Sequence, residues 1–433
     1  MTLKRPSRLK RWRPKRRWKE PIFLSLRWRR RRRMWRGLFW FALLGLVTLP
    51  GIHWANFLLY QHQRYAAEPF LLPLLAPALG GRVLIVAPHP DDEVLGCAGL
   101  IQHLLQHGVS PLVIVVTDGD GFDAAIRLKL REVRINPQDR VLFATMRRTE
   151  TLSALKLLGL PPSHVVFLGF SERTLAESWL LKGDSQPIQA LAEWMEGWQP
   201  TTVVLPSRYD DHPIHAVVCS LGWAALAELK EMHRLRQIPR VLEVLVHYGE
   251  FPRPQGLHPD CKLLPPTDLL LLARWYALPL SSFQRERKWR AVQSYRTQQV
   301  PLTWRFLKSF VRANELFAEP FPLTSQPDRM GELRSLLAGL DIVRVQVDTS
   351  SLTFTAKLRG KGNRRFLYGV QWWQPGQAPK LLPVTLSDDK RSIVATLPPN
   401  FDPMRPTMLT AFTGFEGHIL DVAPLPLTKG VRP

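Results

Sequence analysis

The sequence predicts an α/β fold: a mostly parallel sheet with helices on both faces, followed by a separate all-β, sandwich-like unit. Two observations carry this. From Arg82 to about residue 320, short apolar runs alternate with stretches whose apolar residues recur every three or four positions, the mark of strand–helix repeats. Beyond Glu319-Pro320 the helical spacing stops, and strand-like runs separated by turn residues take over.

Residues 1–36 carry 17 Lys/Arg against one Glu, a net +16, which leaves only +7 of the chain's +23 to the other 397 residues. The basicity is therefore local to this tail, and no nucleic-acid partner is expected for the folded part. Residues 37–60, GLFWFALLGLVTLPGIHWANFLLY, contain no Lys, Arg, Asp or Glu. As a helix rising about 1.5 Å per residue they are long enough for a hydrocarbon core of about 30 Å. Pro50-Gly51 would kink such a helix without preventing insertion, and "IHWA" is a poor cleavage site for a signal peptide. The reading is a transmembrane anchor at 37–60, single-pass in the cytoplasmic membrane, with membrane lipid as a partner. The cationic tail would lie in the cytoplasm and the rest of the chain outside it.

Residues 61–81 are a linker, Pro-punctuated from Pro69 to Gly81. Val83–Ala87, Leu112–Val116, Val165–Leu168, Thr202–Leu205 and Val241–Val246 read as strands buried on both faces. Between most of them, Val94–His107, Thr149–Leu158, Ile188–Trp198 and Ile214–His233 read as helices, and together these make a Rossmann-like sheet. Asp118–Thr145 is long for a strand-to-helix connection and reads as a lid or an insertion. Ser282–Gln299 and Thr303–Phe317 are further helical patterns. The β-rich unit spans about 335–428, with strands over Asp341–Val347, Leu352–Leu358, Arg365–Trp373, Lys380–Thr385, Ser392–Leu397 and Thr407–Thr413. It is expected to fold independently and to supply no catalytic group. The three cysteines, Cys97, Cys219 and Cys261, form no Cys-x-x-Cys pair, so any metal must be held by His and carboxylate.

Ligands of open α/β sheets bind beyond the carboxyl ends of the strands. Two clusters fall there. His89-Pro90-Asp91-Asp92-Glu93 follows the first strand, and His212-Pro213-Ile214-His215 follows the Thr202–Leu205 strand and opens a helix, where its two histidines share a face. Either cluster alone reads more readily as a capped helix start, with acids at the positive helix end. Both at corresponding strand ends point instead to a site, and two imidazoles with one carboxylate make a catalytic zinc set with positions left open.

These residues resemble the PIG-L (LmbE-like) zinc-dependent N-acetylglucosamine deacetylases. The likeness is carried by PHPDDE and HPIH and by Thr117-Asp118-Gly119, Arg147–Glu150 and Leu168-Gly169-Phe170. It continues through Val246–Pro254, Gln284–Gln298 and Arg312–Phe317. It covers a domain at 82–320 and neither the tail nor the β-rich unit. The resemblance implies zinc, or another divalent metal such as Fe2+, on His89, Asp92 and His215. It implies Asp91 as general base, and His212 as the group that stabilises the oxyanion and helps protonate the leaving amine. Arg147, Glu172 and His247 would contact substrate. The chain departs from the family's HPDH at Ile214, which removes an acid expected to orient an imidazole. Glu172 stands where the family usually has Asp.

The implied activity is hydrolysis of the N-acetyl group of an N-acetylglucosamine-type sugar in a glycan or glycolipid. A glycan-binding protein with an inactive deacetylase domain is one alternative, against which Asp91 is retained. A metal amidase acting on a thiol or peptide conjugate is another. A nucleotide-binding module is disfavoured, since the first strand leads into acids rather than a Gly-rich phosphate turn.

Overall fold

The computed structural model describes residues 35, 39–40, 51, 54–74, 76–299, 302–321, 338–402 and 405–427. Residues 58–433 form one compact unit. Its centre is an eight-stranded sheet of β1 (Leu71–Pro73), β2 (Val83–Ala87), β3 (Leu112–Thr117), β4 (Val165–Phe170), β5 (Thr202–Pro206), β6 (Arg240–Val244), β7 (Ala273–Pro279) and β8 (Asn314–Pro320). The strand order is β1-β7-β8-β6-β5-β2-β3-β4. β6, β5, β2, β3 and β4 run parallel, β1 runs parallel to β7, and β8 is antiparallel to both its neighbours. Every residue of β2, β3 and β5 is buried, as uninterrupted apolar runs require when both sheet faces are covered.

Residues 54–67 form helix α1. α2 (Asp92–Gln106), α3 (Asp123–Leu130), α4 (Pro137–Leu158), α5 (Glu172–Leu180), α6 (Gln186–Trp198), α7 (Pro213–Glu231), α8 (Ser282–Val292) and α9 (Trp304–Lys308) follow in order. One face of the sheet packs on α2 and α8, and the other on α5, α6 and α7. Local chemistry sets several helix ends. α4 opens on a capping box in which Asn136 and Asp139 each accept the other's backbone N–H, with Pro137 in the first turn. It closes on Gly159 in the left-handed region. α8 opens on the same device, Ser281 with Gln284. The segment expected to be a lid or insertion holds α3 and the first turns of α4.

The C-terminal region is two four-stranded antiparallel sheets, β13-β14-β10-β9 and β12-β11-β15-β16. Here β9 is Ile342–Asp348, β10 Thr353–Leu358, β11 Leu367–Trp373, β12 Lys380–Leu382, β13 Val384–Leu386, β14 Ser392–Thr396, β15 Thr407–Phe415 and β16 His418–Leu427. Val345, Phe354 and Ile393 from one sheet share a core with Val370, Leu409 and Leu425 from the other. The second sheet also turns Trp373, Met408, Phe412, Ile419 and Val422 into the core beneath α5, α6 and α7. The sandwich thus shares apolar burial with the α/β part through this sheet.

Three sequence expectations change. The helical pattern read to Phe317 ends earlier: Asn314–Pro320 is a wholly buried strand paired with β7, and that pairing overrides the local spacing. β16, with Pro424 and Pro426, was absent from the expected strands; it lies at a sheet edge, where proline's missing N–H is tolerated. The third change concerns the membrane. No helix among the described residues is long and apolar enough to cross a bilayer. The last residues of the expected span belong to α1, which continues into Gln61-His62-Gln63-Arg64. Tyr60, 3 % exposed, and Ala67 pack with Leu264 and Leu270, and Gln63 Nε2 donates to the carbonyls of Leu264 (3.3 Å) and Pro265 (2.9 Å). A helix face committed to the protein cannot also face lipid. The transmembrane reading, and the cytoplasmic-membrane placement built on it, are corrected on that finding. Apart from Trp35, Phe39, Trp40 and Gly51, residues 1–53 lie outside the described residues.

Candidate active site

In chain order the sheet is laid from β2 outward through β3 to β4, and then β5 is added on the opposite side of β2. The crevice between the carboxyl ends of β2 and β5 is therefore the topological switch point, where neighbouring loops diverge and leave room. The β2 loop brings His89–Asp92 to it, and the β5 loop brings Asp210–His215.

Three ligand-type atoms meet there. His89 Nδ1, Asp92 Oδ2 and His215 Nε2 are 3.2 Å from one another in all three pairs. Atoms bound at about 2.0–2.2 Å around a tetrahedral ion sit about 3.3–3.6 Å apart, so the triangle fits a small divalent cation. Two overlapping sets of potential ligands occur, His89 with His212 and His215, and Asp92 with His215 and His247. The imidazoles of His212 and His247 thus stand beside the triangle, their ring centroids 5.1 and 5.0 Å from that of His215.

Carboxylates back the triangle. Asp210 Oδ2 lies 3.1 Å from His215 Nδ1 and accepts the N–H groups of Val246 and His247, both at 3.0 Å, while its Oδ1 accepts from His212 N. It therefore orients one imidazole and ties the β5 loop to the β6 loop. The acid absent at Ile214 is supplied from four residues upstream, and the signal was present in the Asp210-Asp211 pair of "YDDHP". Glu172 does the corresponding work for His89, with Oε1 3.4 Å from His89 Nε2, and lies 3.8 Å from His212 Nε2.

Burial would lower the His89 pKa, but the carboxylates of Glu172 and Asp92 outweigh it and raise the value to about 9. Burial would also raise Asp92, which His215 and His89 instead hold well below the usual range. Burial likewise opposes ionisation of Glu172 and Asp210, yet the facing imidazoles hold both low. His212 is driven well down by burial and by the neighbouring imidazoles, so its ring is neutral. Asp91 goes the other way. Burial raises its carboxyl to about 8, only partly offset by Arg147. Its Oδ2 is buried without a hydrogen-bond partner, and its backbone is strained at φ 129°. Glu93 explains how that strain is held: its Oε2 accepts the Asp91 N–H at 3.0 Å, and its Oε1 accepts the hydroxyl of Tyr295. The third acid of the triplet is a clamp on its neighbour's backbone.

Arg147 is buried. Its guanidinium donates to the carbonyls of Pro90 (2.5 Å) and Gly119 (3.2 Å) and lies 3.4 Å from Asp91 Oδ1. Gly119, at φ 63°, is needed for this approach, because a Cβ there would stand 1.8 Å from Arg147 Nη1. His247 stacks on Phe306, with centroids 5.2 Å apart and planes at 11°. Sequence reasoning missed Asp210, Tyr295 and Phe306.

Residues 84–226 match the family model described as "PIG-L: GlcNAc-PI de-N-acetylase". No curated protein matches the chain. Among solved structures, a conserved protein from Thermus thermophilus is 24% identical, with a TM-score of 0.38, covering 56% of this chain and 95% of that one. An N,N'-diacetylchitobiose deacetylase from Pyrococcus horikoshii is 20% identical (TM-score 0.36, 55% and 84% coverage). A 4-carboxy-2-hydroxymuconate hydratase from Pseudomonas putida is 17% identical (TM-score 0.37, 53% and 83%). Residues 84–226, which hold the acid and histidine clusters brought together at the switch point, are thus similar to the PIG-L/LmbE-like deacetylases.

Proposed function

We propose that the chain is a metal-dependent hydrolase that removes the N-acetyl group from an N-acetylglucosamine-type amino sugar. The observation that carries the proposal is the 3.2 Å triangle of His89 Nδ1, Asp92 Oδ2 and His215 Nε2 beside a carboxylate oxygen, Asp91 Oδ2, that nothing in the protein satisfies. His89, Asp92 and His215 would hold the cation, zinc or another divalent ion such as Fe2+. When bound, it supplies Lewis-acid chemistry, polarising an amide carbonyl and making water more acidic.

The chain's own residues divide the remaining work. Asp91, in its ionised form, takes a proton from the attacking water through Oδ2, the oxygen that no group in the protein occupies. His212, neutral, donates an N–H to the carbonyl oxygen as negative charge develops there. Because that ring is a weak acid donor to an amine, the proton held by Asp91 is the one delivered to the leaving nitrogen. Arg147 keeps the Pro90–Asp91 backbone in place. Glu172 and His247 line the approach to the triangle and are proposed to meet substrate hydroxyls. A binding protein with an inactive domain gains nothing from a strained, buried Asp91 whose Oδ2 has no hydrogen-bond partner, and that favours the enzyme reading.

The purified protein, loaded with zinc, is tested for acetate release from N-acetylglucosamine and its β-1,4-linked oligomers. Release that a chelator abolishes and zinc restores is the expected result. A metal-loaded protein that releases no acetate from any of them would overturn the proposed substrate class.

A further inference from the structure

We infer that the β15–β16 hairpin of the C-terminal sandwich forms the outer wall of the substrate cleft, and that His418 there contacts sugar units beyond the one being deacetylated. The inference rests on the amino-sugar reading above and deepens it. One cavity of about 380 Å3 is lined both by Glu172 and His212 of the candidate site and by His418 and Ile419 of the hairpin. That volume lies within the range of ligand pockets, about 300–1,000 Å3.

The wall is anchored. Ile419 and Val422 enter the core formed with α5 and α7, the helices that start at Glu172 and directly after His212. Ile419 N donates to Glu177 Oε1 at 3.4 Å, and His418 Nδ1 is 3.9 Å from the same oxygen. The hairpin tip is therefore held at a set distance from the reacting centre by two helices that also carry the site. His418 itself is 73 % exposed on its side chain, so its ring is available to a ligand.

The cleft's chemistry indicates what lies against it. Arg173 is opposed by Asp123, Glu172 and Glu177, so the lining has no excess of positive charge to hold a phosphate or another anion. Polar groups alternating with apolar surface from Ala176, Pro213, Ile214 and Ile419 suit a neutral, polyhydroxylated chain, whose hydroxyls and C–H faces use both. An oligosaccharide whose acetylated unit sits at Glu172 and His212 would extend its next units along the same cavity toward His418.

The test compares kcat/KM for N-acetylglucosamine and for its β-1,4-linked tetramer in the wild type and in His418→Ala. A hydrogen bond lost from a neutral sugar corresponds to about 3- to 10-fold. The expected result is a fall of that size in the tetramer-to-monomer ratio, with the melting temperature unchanged. An unchanged ratio, whether both substrates fall alike or neither falls, overturns the inference. Should the wild type release no acetate, the activity reading fails by itself, and the wall is then judged by calorimetric binding of the tetramer. Weaker binding by His418→Ala supports it, and equal binding or none by the wild type overturns it.

Discussion

Replacing Asp91 by Asn is the most informative single change. Asparagine has the same shape and tolerates positive φ, so the strained turn at φ 129° and the Asp91 N–H to Glu93 bond are retained. Asp91 is not part of the 3.2 Å triangle, so metal content should stay at the wild-type level. What is lost is the carboxylate that takes the proton from water. The expected fall in kcat is about 10²–10⁴, equivalent to about 2.7–5.5 kcal/mol on the barrier. The substitution would also replace the carboxyl oxygen 3.4 Å from the Arg147 guanidinium with an amide group, so a modest drop in melting temperature should accompany it. Acetate release and metal content by elemental analysis are measured on the same preparation. A D91N protein with full metal and more than about a tenth of wild-type activity would refute the base assignment, and one that had lost its metal would refute the ligand assignment.

Asp92→Ala removes one corner of the triangle and should lose the metal itself, read by elemental analysis. Asp210→Asn keeps the side chain's shape but removes its charge and one of its two acceptor oxygens, which weakens the hold on His215; metal affinity should fall about 10- to 100-fold in competition with a chelating dye. Gly119→Ala places a Cβ against Arg147 at positive φ, so it should lower stability by about 1–3 kcal/mol in denaturant unfolding and reduce activity with it. A chain ending at residue 325 uncovers the core that Phe412, Ile419 and Val422 close over α5 and α7, and it should fail to give a cooperative melt.

The sequence alone determined whatever is written in short-range pattern. Continuous apolar runs gave strands with both faces buried, because a strand covered by helices has no polar face to show, and Val83–Ala87 was read to the residue. The acid and histidine clusters were legible because each lies at a strand end, within a few residues of a helix start. Three things needed the tertiary structure. Asn314–Pro320 became a strand only because β7 and β6 offered it partners, and no local period records a partner far away in the chain. The apolar run before Gln61 looked like a lipid-facing helix, and only the packing of Tyr60 and Ala67 on Leu264 and Leu270 showed what its end is buried against; hydrophobicity specifies that a face leaves water, not where it goes. The orientation of the site was decided in the same way. Asp210 on the backbone of Val246 and His247, Tyr295 on Glu93 and the sandwich against α5 are contacts between residues far apart in the chain, and they exist only once the sheet has brought those segments together.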